Sequence, residues 1–154
     1  MLVGGPLCLK AFRNRWYLLL DTPSHQEPAL YSLDRISGIS LSKESYTPPI
    51  GFDSQAYFMD SFGVFVGSNF PVERIKLKVY GSQRYYLRTL PLHHSQVEME
   101  RHEDWSLFSL RLRPTLDFQQ EILSRGADIE VLEPASLRDA MAERVRQLAG
   151  RYGL

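Results

Sequence analysis

Asn14-Arg15-Trp16-Tyr17-Leu18-Leu19-Leu20 is the densest strand pattern in the first half of the chain. Aromatic and aliphatic side chains crowd behind a polar, turn-like opening, and such a run has to bury at least one face. Tyr31-Ser32-Leu33-Asp34-Arg35-Ile36 reads as its partner strand, so a first domain is expected to be built around this pair. Alternation along the strand assigns Trp16, Leu18 and Leu20 to the core, with Tyr17 and Leu19 facing the other way.

Upstream, Pro6 opens an apolar run, Leu7-Cys8-Leu9-Lys10-Ala11-Phe12, and Arg13-Asn14 makes a hairpin turn because Asn tolerates left-handed backbone angles. Met1 to Gly5 is a loose entry, and the proline-flanked stretch from Thr22 to Pro28 is a surface loop. Downstream, Ile39-Ser40-Leu41-Ser42 alternates like a further half-exposed strand. Asp53 is placed to cap a short helix through Phe58-Met59, and Phe62 to Gly67 is either a last strand or an apolar loop. A meander of such strands closing into a small barrel avoids a long bare edge. Ser68-Asn69-Phe70-Pro71 then marks a boundary, dividing the chain into domains 1–70 and 71–154.

The second domain has a cleaner rhythm. From Glu73 to Val79, Arg74, Lys76 and Lys78 alternate with Ile75, Leu77 and Val79. A short helix follows through Gln83 to Arg88, stopped before Pro91. Gln96–Arg101 and Trp105–Arg113 read as a strand pair, and Thr115 as the N-cap of a helix through Phe118, Ile122 and Leu123, ended by Gly126. Ile129 and Val131 mark another strand, and Ser136 caps a last helix with Leu137, Met141, Val145 and Leu148 at helical spacing. The order is βαββαβ plus a C-terminal helix, the split-βαβ or ferredoxin-like pattern, and the whole chain is α+β.

Lys+Arg and Asp+Glu both number 18, so no global basic field draws in nucleic acid and any such binding needs a local patch. The single cysteine, Cys8, rules out an internal disulfide framework, fits a reducing compartment and reads as a small buried filler. No apolar run is long enough for a membrane helix and the start lacks the regions of a signal peptide, so a cytoplasmic protein without a membrane partner is expected. His93-His94 has no Cys, Asp or Glu at ligand spacing, no phosphate-binding glycine loop is present, and no nucleophile lies beside a base and an orienting acid. No metal, cofactor or catalytic residue is therefore assigned, and the chain is not expected to be an enzyme.

Several motifs resemble those of the WYL domain family. Arg15-Trp16-Tyr17-Leu18 and Leu33-Asp34-Arg35-Ile36 look like the two core motifs of the WYL domain. Leu90 to Gln96, Leu112-Arg113-Pro114-Thr115 and Val131-Leu132-Glu133-Pro134 look like pieces of its C-terminal extension, WCX. The resemblance implies a transcriptional regulator: a DNA-binding winged helix, an Sm-like (SH3-like) β-barrel WYL domain that senses a nucleic-acid or nucleotide-like effector, and a WCX domain used in dimerisation and allostery. No helix-turn-helix is present, and the opening of the barrel is missing before Gly4, which implies a fragment, a truncated gene or a late start. Operator DNA would be bound only through that missing N-terminal domain. Ala29 stands where many members of the family carry an arginine two residues before the aromatic, here Tyr31.

Arg15 and Arg35 are the sharpest candidates for an effector site, with Lys10, Arg13, Tyr17 and Ser32 as neighbours. Guanidinium groups fork onto phosphate and a tyrosine ring stacks a base. The competing reading is that Arg35 pairs with Asp34 or Asp21 and simply ties two strands. In the second domain, Arg74, Lys76, Lys78, Arg111 and Arg113 can share one open sheet face, but Glu98, Glu100 and Glu130 on flanking strands account for them by cross-strand pairing. Two functions remain: a homodimeric sensor that binds an oligonucleotide such as single-stranded DNA, or a nucleotide-like effector, and a structural dimerisation module with no small-ligand site. If the stripe on the last helix is wider than its own sheet can cover, it serves the dimer.

Overall fold

The structure, a computed structural model, describes residues 2–67 and 69–154; Met1 at the entry and Ser68 in the expected boundary lie outside them. The fold is mixed, with two antiparallel sheets and four α-helices among the described residues, and it separates into two compact units, Met1–Met59 and Asp60–Leu154.

In the first unit, β1 (Gly5–Phe12), β2 (Arg15–Asp21) and β3 (Ala29–Ser32) form an antiparallel sheet in that order, with β1 and β3 as open edges. The β1–β2 turn is made by Arg13 and Asn14, both at positive φ (47° and 63°), so the left-handed pair expected of the hairpin includes an arginine. Gly5 is required where it stands: a Cβ there would lie 2.1 Å from the ring of Tyr46, whose hydroxyl donates to Asp21 at 3.0 Å. Asp53 caps α1 (Ser54–Phe58), accepting from the amides of Gln55 at 2.8 Å and Ala56 at 3.4 Å.

Three expectations for this unit fail. The buried side of β2 is that of Leu19, 1% exposed, while Trp16 is 55% exposed. Phe58 of α1 lies on the Leu19 side, where the ammonium of Lys10 sits 4.1 Å from its ring centre, so that face is the covered one. The second strand stops at Ser32 and gives way to a 3-10 turn over Leu33–Arg35. Ile39–Ser42 forms no strand; Leu41 is 97% exposed, because no neighbouring strand offers it a ladder.

The second unit places β4 (Glu73–Tyr80), β5 (Val97–Arg101), β6 (Trp105–Leu112) and β7 (Ile129–Glu133) in the order β5-β6-β4-β7, all antiparallel. The helices are α2 (Gln83–Thr89), α3 (Leu116–Ser124) and α4 (Ala135–Arg151). Ile75, Leu77 and Val79 alternate inward and are fully buried beside Phe108, Leu110 and Leu112 from β6. Each such side chain contributes about 1.5–3 kcal/mol on burial. Phe62 meets Phe118 edge-on at 5.6 Å, and Arg113 donates to the Phe70 carbonyl at 2.5 Å, which attaches the loop over 60–70 to this unit rather than the first. Among the described residues that loop carries no strand.

Two caps differ from expectation. Thr115 occupies the N-cap of α3, but its hydroxyl donates to Asp117 at 2.5 Å instead of serving the helix backbone. The last helix begins at Ala135 behind Pro134, so Ser136 lies inside it. Arg84 is the buried cation of the unit: it donates to the carbonyls of Gly81 (2.8 Å), His102 (2.8 Å) and Glu103, pinning the β5–β6 turn to the start of α2. Glu98 is held by the Arg88 fork (2.7–3.2 Å) and by Arg101 (2.6 Å), which pull its carboxyl down to about 2 against the opposing effect of burial.

Arg84→Met should destabilise the second unit by about 2–4 kcal/mol, read from urea unfolding followed at Trp105, because buried carbonyls lose their donor. Glu98 supplies stability that is complete above pH 4.5 and disappears as pH falls through about 2. Discounted for solvent screening, its loss should amount to about 1–2 kcal/mol, and Glu98→Gln should abolish that part of the acid-induced drop.

Candidate functional site

Pairing across the first sheet decides which candidate side chains meet. Lys10 is opposite Tyr17, and Tyr17 is opposite Ser32, so the three form one row across β1, β2 and β3. Arg15 is two residues before Tyr17 on β2 and therefore on the same face. Arg13, in the turn, stacks its guanidinium 5.3 Å from the ring of Phe12, the register partner of Arg15. Arg35 ends the 3-10 turn that follows Ser32 and is exposed. All six candidates thus belong to one end of the first sheet and its flanking turns.

Asp34 sits among them. Its carboxylate accepts a short hydrogen bond from the Ser32 hydroxyl and lies 3.6 Å from Arg15. These contacts, Ser32 first and then Arg15, with a weaker pull from Arg35, hold its carboxyl below the usual range. The strand-tying pair expected of Arg35 with Asp34 or Asp21 is therefore made by Arg15, and Asp21 is engaged by Tyr46 instead. Burial raises the Cys8 thiol above its ordinary value, in keeping with a filler rather than a thiolate.

The open face of the second sheet is largely self-satisfied. Lys76 pairs with Glu133 at 3.0 Å, Arg111 with Asp60 at 3.1 Å, and Tyr80 donates to Glu130 at 2.8 Å. Lys78 rests over the ring of Trp105 at 4.3 Å, with His102 stacked on that indole at 3.8 Å. Glu98, expected to neutralise this face, turns instead to Arg88 on α2, because β5 is bulged between Glu98 and Glu100. Sequence reasoning missed the His102–Trp105–Lys78 stack, although the end-of-strand pairing of Tyr80 with Trp105 points to it.

His93 Nδ1 lies 2.7 Å from Ser95 Oγ, but that oxygen also donates to the Arg111 carbonyl (3.0 Å) and accepts its amide (2.8 Å). A hydroxyl locked to a strand in this way ties a loop down. Among the described residues no group of three or more His, Cys, Asp or Glu is placed to hold a metal, and no helix is long and apolar enough to cross a membrane.

No curated protein matches the chain significantly. Among solved structures, proteasome accessory factor B/C (PafBC) of Arthrobacter aurescens is similar, with 21% identity and a TM-score of 0.39 over 93% of this chain and 21% of that one. This chain thus spans about a fifth of the length of that protein. The family model of the WCX domain matches residues 71–149, which take in the whole four-stranded sheet and nearly all of α4, and the chain belongs to the WCX domain family.

Proposed function

We propose that this chain is the effector-sensing and dimerising region of a cytoplasmic, non-enzymatic transcriptional regulator of the WYL/WCX type. In this reading residues 1–70 are a WYL domain with an Sm-like barrel fold, and residues 71–154 a ferredoxin-like WCX domain. DNA operators would be reached only through a separate helix-turn-helix domain. The effector is an oligonucleotide, such as single-stranded DNA, or a nucleotide-like molecule.

The observation that carries the proposal is the row Lys10–Tyr17–Ser32 with Arg15 on the same face. An ammonium, a ring, a hydroxyl and a guanidinium lie within one pleat of each other, and Arg13 and Arg35 flank them. Phosphate would be met by Arg15 and Arg35 at the rim of the face that Phe58 covers, and the half-buried Tyr17 ring would stack a base there. Asp34 is a carboxylate within the group; it would be displaced from Arg15, or would select ligands with a hydroxyl that can donate to it. The same Arg15–Asp34–Ser32 contacts favour the second reading, a structural dimerisation module with no ligand, since they satisfy the row internally.

Titration of labelled single-stranded DNA by fluorescence anisotropy separates the two. Saturable binding that weakens with salt is expected, with Arg35→Ala losing about tenfold and Asp34→Asn gaining several-fold as repulsion is relieved. Absence of binding even at low salt overturns effector sensing and leaves the dimerisation module.

A further inference from the structure

Between the end of α3, β7 and α4 the core is not closed. Ile122, Ile129, Val131 and Met141 belong to the buried core, each at most 8% exposed, yet they also line a cavity of about 280 Å³. That is about nine times the room a water molecule takes in the liquid, and native interiors leave few voids larger than one. Small residues make the space. Ala142 on α4 and Ala127 in the turn before β7 carry only a methyl group, and a Cβ added at Gly126 would meet nothing within 4 Å. The walls are apolar, so water inside finds few of the polar partners that hold buried water in place. The cavity touches three consecutive residues of β7, Ile129, Glu130 and Val131. Consecutive strand residues alternate across the sheet, so the cavity runs beside the edge of β7 that β4 leaves free, where solvent reaches it.

We propose that this cavity is a binding site for a small amphipathic carboxylate, a molecule with an aliphatic tail and one anionic head. The tail lies on Ile129, Val131 and Met141, and the head meets Arg138 at the mouth. Charge selects the head. Arg138 and Glu130 are the charged side chains of the lining. Ile129 and Val131 point into the core, so the Glu130 side chain leaves on the opposite face of the sheet, where its Oε2 accepts the Tyr80 hydroxyl at 2.8 Å. Arg138 lies 3.9 Å from the other oxygen of that carboxylate, beyond hydrogen-bond reach, and its guanidinium makes no hydrogen bond among the described residues. A guanidinium presents its donors as a planar fork that fits a carboxylate, and its aliphatic stem lies readily along an apolar mouth. Volume selects the tail. The cavity is at the small end of ligand pockets, too small for a drug-sized molecule. A methylene group takes about the room of a water molecule, so a chain of about eight carbons fills it. The site lies wholly within the second unit and is independent of the row on the first sheet.

Isothermal titration calorimetry of the full chain with straight-chain carboxylates from butanoate to dodecanoate tests this. Saturable binding is expected, tightening about fourfold with each methylene that enters the cavity and levelling off near octanoate. Arg138→Gln should weaken octanoate about tenfold and leave octan-1-ol, the same tail without the charge, unaffected. Ala142→Phe and, separately, Ala127→Leu put a side chain into the space and should each abolish octanoate binding, with far-UV circular dichroism confirming that the variants are folded. A chain that binds none of the carboxylates saturably overturns the proposal. So does octanoate binding that is indifferent to Arg138→Gln, or that both space-filling variants leave intact.

Discussion

The rest of the second unit depends on the pairing of β4 with β6. It is the longest uninterrupted ladder in the molecule, running from Glu73 opposite Leu112 to Tyr80 opposite Trp105 without a bulge. Alternation along it sends Ile75, Leu77, Val79, Phe108, Leu110 and Leu112 to one side, where α3 and its Phe118 close over them. A one-residue slip would exchange this whole set with Lys76, Lys78 and Arg111, so the register is strongly specified. Everything outside that ladder adapts to it: β5 and β7 each carry an irregularity on the edge they pair, and the charged helix residues find partners at the margins.

This contrast explains how much could be read in advance. In β4 the two faces differ in kind, cationic against aliphatic, so period-two alternation identifies the buried one, and the order of elements over 73–151 follows from comparable patterns. In β2 both faces are apolar: Trp16, Leu18 and Leu20 on one, Tyr17 and Leu19 on the other. Alternation then establishes a strand but not which side is covered. That is decided by Phe58, far along the chain, arriving on the Leu19 side, and no local pattern reports it. Ile39–Ser42 shows the same limit from the other direction. It alternates well enough, but a strand needs a neighbour to pair with, and none reaches it.

The candidate site was legible as a list and not as a geometry. Residue types and the family resemblance picked out Lys10, Arg13, Arg15, Tyr17, Ser32 and Arg35; only the register shows that three of them form a straight row and that Arg15 shares their face. The position of Asp34 was also open. Its carboxylate is adjacent to Arg35 in sequence, yet the 3-10 turn swings it back toward Ser32 and Arg15 on β2. A tight turn of three residues is enough to reassign an ion pair.

The two sheets dispose of their charge differently, and that difference bears on where a ligand would be accepted. On the second sheet Lys76 and Arg111 each have a carboxylate in direct contact, and Lys78 is occupied by an indole. An anion binding there would have to compete with every one of those contacts, and the net gain would be small. At the end of the first sheet Arg15 meets Asp34 at 3.6 Å, a longer contact between two half-exposed side chains, so it is more readily exchanged for an anion. The proposal of an anionic effector therefore rests on the first unit, where Arg35 stands exposed at the end of the 3-10 turn beside the Tyr17–Ser32 pair.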